Sequence, residues 1–264
     1  MLTVHIASAA IAAPGLDGWE DAAAVLCGKS PYQPEAMRRY APEVLPATER
    51  RRSSKSTRLA VHVSEEAVSA RGPATEKMAV IFASANGDGD IADQICEALA
   101  SPMRMVSPTR FHNSVHNAPA GYWSIATGAR TPSTSLAGYD ATFAAALMAA
   151  SAQVIGEEIP VLLALYDLPF PDPLNEKRPM KYPFAAALVL TPQPTDSGLG
   201  SIDVRFAASD APVSTMTDSA LETLRSDNPA AQILPLLAGL ARREATRIVV
   251  GHGETHRLGV EYRP

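Results

Sequence analysis

The chain has 264 residues, 46% of them hydrophobic and 19% charged, with a formal net charge of −5. A chain of this length buries about 70–75% of its unfolded surface in one compact domain without metal or disulfide staples, and the two cysteines, Cys27 and Cys96, exclude a disulfide scaffold. Acids outnumber bases 28 to 23, which argues against a nucleic-acid binder.

No run reaches the roughly 18 apolar residues of a membrane span, and the start Met1-Leu2-Thr3-Val4-His5 lacks the positive region of a secretory signal. A cytoplasmic location is expected. Residues 2–8 read as a strand, with Ala13-Pro14-Gly15 as its stop, and residues 17–26 as a helix with Asp17 near its start. A Pro-rich irregular stretch follows over 31–46. The basic run at Arg50, Arg51 and Arg52 leads into a helix near 54–70, whose Leu59, Val63 and Val68 form one apolar face.

Residues 78–84 read as a buried strand, Asn86-Gly87-Asp88-Gly89-Asp90 as a turn, and 91–100 as a helix with Ile91, Ile95 and Leu99 on one face. Between Phe111 and Gly156 the only charged side chains, histidines aside, are Arg130 and Asp140, so this stretch is expected to be buried or to form an interface. It ends in an Ala-rich helix over 141–154. Strands over 160–166 and 184–191 flank a loop marked by Pro169, Pro171 and Pro173. A strand at 202–207, helices at 219–225 and 230–242, and strands at 246–250 and 257–262 complete an α/β layered pattern.

Few residues stand out as chemical groups. Asn86, Asp88, Asp90 and Glu97 fall at calcium-loop positions, but Ile91 occupies the position that needs Gly, and a turn with a helix cap is the better reading. His112 with His116, and His252 with His256, have metal-ligand spacing. Neither pair lies in a convincing helix or has a third ligand, so no metal or other cofactor is expected. Cys27 and Cys96 read as buried inert thiols. Asp140, ahead of the Ala-rich helix, reads as a helix N-terminal acid. Arg50, Arg51, Arg52 and Lys55 read as a solvated face, or as a contact for an acidic carrier.

The segment from Ser107 to Gly128 is the most informative. It resembles the β-ketoacyl synthases, whose N-terminal half carries an Asn-Ser-x-x-Asn-Ala-x-x-Gly segment before a Ser-Ile-x-x-Gly element. Asn113, Ser114, Asn117, Ala118 and Gly121 fill the first, and Ser124, Ile125 and Gly128 the second. The family continues through a turn proline, matched by Pro132, to a nucleophilic cysteine at a helix start. Here Asp140 stands at that position, with Ala141 after it and Phe143 in place of a glycine. The family's two C-terminal histidine motifs are missing; Gly251-His252-Gly253-Glu254 is a partial echo of one.

The resemblance implies a thiolase-like α/β fold across 1–264, with a complete N-terminal half and residues 191–264 as a shortened C-terminal half. It also implies a non-catalytic, chain-length-factor-like subunit of aryl polyene or related polyketide systems. Such a subunit pairs with a catalytic ketosynthase as a heterodimer fed by an acyl carrier protein, and it bounds the acyl tunnel. Interface or tunnel candidates are Asn113, Ser114, His116, Asn117, Tyr139, Asp140 and Phe143. Carrier contacts are expected at Arg50, Arg51, Arg52 and Lys55. The rival is a stand-alone decarboxylase or thioesterase-like enzyme using Asp140 with His112 or His116.

Overall fold

Local patterning accounts for most elements of the computed structural model, which describes residues 1–71, 74–253 and 256–264. Glu254 and Thr255, part of the stretch expected to join the last two strands, lie outside the described residues. In the first part of the chain, β1 (Leu2–Ala13), β2 (Leu16–Asp17) and α1 (Trp19–Leu26) precede α2 (Ala47–Arg52) and α3 (Lys55–Arg71). Then come β3 (Ala79–Ala83), α4 (Gly89–Ala100), α5 (Pro108–Asn113), α6 (Ala118–Thr127), β4 (Ser133–Leu136) and α7 (Thr142–Glu157). The rest is β5 (Val161–Asp167), α8 (Leu174–Lys177), β6 (Phe184–Thr191), β7 (Gly200–Ala207), α9 (Ser219–Asp227), α10 (Leu234–Arg242), β8 (Thr246–His252) and β9 (His256–Arg263).

All strands belong to one sheet in the order β4-β3-β5-β6-β1-β7-β9-β8, with β2 hooked onto the end of β1. Strands β4, β3 and β5 are parallel, and the remaining pairs are antiparallel. The strands β3, β5 and β6 are buried along their whole length, because helices cover both faces and leave no side for polar residues. One face packs against α3 and α6 through Leu59, Val63, Ala67, Tyr122 and Trp123. The other packs against α1, α7 and α10 through Leu26, Phe143, Leu147, Leu237 and Leu240. Phe82 sits between Trp123 and Tyr166, each ring centroid 6.5 Å away.

The structure departs from the sequence expectations in several places. Strand β1 runs on to Ala13, because Ala9, Ala10, Ile11 and Ala12 continue to pair with β6. The first helix starts at Trp19, since Asp17 is drawn into β2. Residues 230–242 divide into a 3-10 turn (Pro229–Ile233) and α10, whose first turn accepts Pro235. Helix α4 does not bury its expected face: Ile91 is covered, but Leu99 is 51% exposed. Among the described residues, no helix is long and apolar enough to cross a membrane.

The two sheet edges differ. At β8, Ser214 bonds both backbone groups of Val249, its N–H to the carbonyl at 2.8 Å and its Oγ to the N–H at 3.0 Å. At β4 the sheet ends on Ser-Thr-Ser-Leu, which no other described strand pairs.

Candidate functional site

The parallel strands β4, β3 and β5 all finish on one side of the sheet, at Leu136, Ala83 and Asp167. The crevice outside such strand ends is where open α/β sheets place ligands and chemistry. Three loops meet there: 84–88 before α4, 137–141 before α7, and the long turn after β5.

Asp167 organises the first of these loops. It is fully buried, and it accepts hydrogen bonds from Ser84 Oγ (2.7 Å), the Asn86 N–H (2.8 Å) and the Ala85 N–H (3.1 Å). Burial pushes its pKa up to about 6, opposed by those hydrogen bonds and by the nearby Arg178 cation. Ser84 Oγ also accepts the Gly87 N–H at 2.8 Å, a turn that needs the left-handed backbone of Gly87 (φ 63°). His116 Nε2 lies 3.0 Å from the Ser84 carbonyl, so that nitrogen carries the proton. Asp88 caps α4 by accepting the Ile91 N–H at 3.1 Å, as the turn-and-cap reading expects.

The second loop is a sharp elbow. Tyr139 has φ 53°, and the following 3-10 turn runs directly into α7. Thr142 Oγ1 locks the turn by accepting from the Gly138 N–H (3.0 Å) and donating to the Tyr139 carbonyl (2.6 Å). Asp140 does not cap α7, whose N-cap is Ala141 with no side-chain bond. The helix-cap expectation is therefore corrected. The Asp140 carboxylate turns away to Arg178 Nη2, 2.8 Å distant, with its side chain 72% exposed against 20% for the arginine.

Arg178, from the turn after β5, joins the two loops. Its Nε donates to Asn86 Oδ1 at 2.9 Å, and its guanidinium stacks 3.7 Å from the centre of the Tyr139 ring. The half-exposed ion pair contributes little, while the stack and the Asn86 bond contribute more. We predict that Arg178→Ala lowers the melting temperature by about 3–6 °C, measured by thermal unfolding. An unchanged melting temperature would show that the elbow holds without its clasp.

The other expected residues are dispersed. Asn113 is buried, donating to the Arg52 carbonyl (2.8 Å) and accepting from the Tyr122 hydroxyl (2.9 Å). Ser114 and Asn117 are exposed at helix ends, Tyr139 is 66% exposed, and Phe143 is core. His112 packs edge-on to Tyr122 and lies apart from the His116 contact. His252 and His256 face each other across the β8–β9 pair, both near Phe206. Among the described residues, no group of three or more His, Cys, Asp or Glu side chains is placed to hold a metal ion.

Neither thiol is buried as expected: Cys27 is half-buried at the end of α1, and Cys96 is exposed on α4. Arg50, Arg51 and Arg52 lie on α2. Arg50 bonds the Pro42 carbonyl at 3.1 Å, Lys55 pairs with Asp90 at 2.8 Å, Arg52 lies 3.9 Å from Glu49, and Arg51 is exposed.

Sequence reasoning missed Asp167, Ser84 and Arg178, and it read Asn86 only as part of a turn. A carboxylate ending the apolar run Val161–Tyr166 was a usable signal for Asp167. Arg178 lies 38 positions from Asp140 in the chain and gives no local signal.

Residues 21–255 match the family described as beta-ketoacyl synthase, N-terminal domain, and the chain belongs to this family. No curated protein matches its sequence. Among solved structures, it is similar to a ketosynthase (ApeO) in complex with its chain length factor (ApeC) from Xenorhabdus doucetiae. That similarity has 24% identity and a TM-score of 0.74, over 99% of this chain and 100% of the other. The ishigamide ketosynthase/chain length factor follows at 14% identity and TM-score 0.69, over 100% and 99%. A type II acyl-carrier protein–ketosynthase complex (AntDE:AntF) is similar at 11% identity and TM-score 0.72, over 99% of both chains. The fold is thus α/β and thiolase-like.

Proposed function

We propose that this chain is a non-catalytic, chain-length-factor-like partner of an active ketosynthase in polyketide or fatty-acid-type synthesis, of the aryl polyene or a related kind. The observation that carries this reading is the elbow. Where the family places a nucleophilic cysteine, this chain has Asp140, bound to Arg178 rather than poised beside a base. A carboxylate cannot form the thioester intermediate on which condensation depends, so the sulfur has to come from another subunit. A decarboxylase or thioesterase built on Asp140 fits less well, because its histidine candidates, His112 and His116, engage Tyr122 and the Ser84 carbonyl instead.

The surface beside the elbow supports a partner. Among the described strands β4 offers an unpaired edge, Ser135 Oγ is buried without a hydrogen bond, and Tyr139, just after the strand, is exposed. A free strand edge suits strand-to-strand association. In this reading Ser114, His116, Asn117, Tyr139 and Asp140 lie toward the shared face, and Asn113 and Phe143 support it from within. Residues 191–264, with β7, β9, β8, α9 and α10, serve as a reduced C-terminal part. Arg51, Arg52 and Lys55 are the exposed charges of the expected carrier contact, with Arg50 held to the Pro42 carbonyl beside them.

Co-expression with a catalytic ketosynthase tests the proposal. Expected is a stable complex, by native mass measurement, that elongates carrier-bound acyl chains. Turnover of a malonyl or acyl thioester by the chain alone overturns it.

A further inference from the structure

Residues 31–46 form a strap with no helix or strand, laid across α3. Its anchors near the middle are few and specific, and one comes from α2, where Arg50 donates to the Pro42 carbonyl at 3.1 Å. Arg38 pairs with Asp17 at 2.7 Å, and the Tyr40 hydroxyl donates to the same carboxylate at 3.0 Å. The backbone N–H groups of Glu43 and Val44 donate to Glu65 at 3.1 and 2.7 Å. Between these anchors the Tyr40 ring stacks on His62 of α3, with centroids 4.2 Å apart and planes inclined by 24°.

His62 Nε2 is buried and has no hydrogen-bond partner. We propose that His62 is a proton sensor, and that charging it lifts the 38–44 part of the strap from α3. A neutral imidazole tolerates this place. An imidazolium would bury an N–H without an acceptor, beside the Arg38 cation that leans over the Tyr40 ring 5.2 Å from its centre.

The surrounding charges do not relieve it. The strap contributes Arg38, Arg39 and Glu43, β2 contributes Asp17, and α3 itself contributes Arg58, Glu65 and Glu66. Three of these carboxylates are already engaged, Asp17 by Arg38 and Tyr40, Glu65 by the strap backbone, and Glu66 by the Trp19 N–H at 2.7 Å, while Glu43 is exposed to solvent on the strap. Of the other elements packed on α3, α6 and β6 carry no charged residue, β1 carries only His5, and β5 ends in Tyr166 and Asp167. An open cavity of about 430 Å³, lined by Arg38, Tyr40, His62 and Glu66, lets water in as the strap lifts.

Burial and Arg38 hold the His62 pKa below its ordinary 6.5, with Asp17 opposing them. The folded strap therefore binds protons less well than the released one. Its closure is fully stable above 6.5 and is lost as pH falls below that value. Burial raises the Glu66 pKa, an opposite trend, but Glu66 holds Trp19 rather than the strap.

Hydrogen exchange of the full chain at pH 7.5 and 5.5, corrected for the intrinsic pH dependence, tests this. Peptides covering 38–44 are expected to lose protection at the lower pH, by at most about tenfold, while β3 and β5 peptides keep theirs. His62→Phe keeps an aromatic stack that cannot titrate, and its strap should be equally protected at both values. No change in the wild type overturns the proposal. So does the same loss in His62→Phe, which would assign the release to Asp17 or Glu65.

Discussion

Ser135→Pro is expected to weaken association with a catalytic ketosynthase by about 100-fold while leaving the chain folded. The reason is the hydrogen-bond phase of the edge strand. Val80 N–H bonds the Pro132 carbonyl and Ser84 N–H bonds the Leu136 carbonyl, so the even-numbered residues of β4 face β3. The backbone of Ser133 and Ser135 is thereby turned to the open side. Proline at 135 removes only an outward N–H, and its fixed φ is tolerated at a sheet edge. Ser135→Ala keeps the N–H and should retain binding within a few-fold. Titration of the labelled partner, alongside thermal unfolding, separates the outcomes. Unaltered affinity in Ser135→Pro would show that the partner docks elsewhere.

Asp167→Ala carries the largest expected cost in stability, about 3–5 kcal/mol, or roughly 10 °C in melting temperature. Its carboxylate serves buried Ser84 Oγ and the half-buried N–H groups of Ala85 and Asn86, and its removal leaves all three without this acceptor. The same group makes stability depend on pH. Its pKa is raised from an ordinary 3.8 to about 6, so the folded chain holds this proton more tightly than the unfolded one. Its contribution is fully present below about 4 and is lost as pH rises through about 6. The gap between wild type and Asp167→Ala should therefore be wider at pH 5 than at pH 7.5, by urea unfolding at both. A gap independent of pH would contradict this assignment of the buried proton.

What could be read from the sequence follows from where the physics is local. Strands β3, β5 and β6 were legible because burial on both faces demands apolar runs. Likewise Asn86-Gly87-Asp88 was legible as a turn, because Gly87 supplies a left-handed residue and Asp88 a cap. Strand β4 escaped notice, since an edge strand of Ser-Thr-Ser-Leu needs no apolar pattern. Helix α4 misled in the opposite sense: Ile95 and Leu99 have the spacing of a buried face, yet this chain alone supplies nothing to cover Leu99. Asp140 stood out as the lone acid of a charge-poor stretch, and the family resemblance placed it at the position of the nucleophile. Its clasp by Arg178 was not legible, because ion pairs between distant loops leave no periodic trace.

Asp140→Asn is the substitution that bears most directly on the central claim, because asparagine can still accept the Arg178 bond but offers no carboxylate chemistry. The measurement is the elongation rate of carrier-bound acyl chains by this chain co-expressed with a catalytic ketosynthase, the partner proposed above. A rate within about threefold of wild type is predicted, as for a residue outside the reacting centre. A loss of about 100-fold or more, in a complex that still assembles, would place the chemistry on this chain and contradict the account.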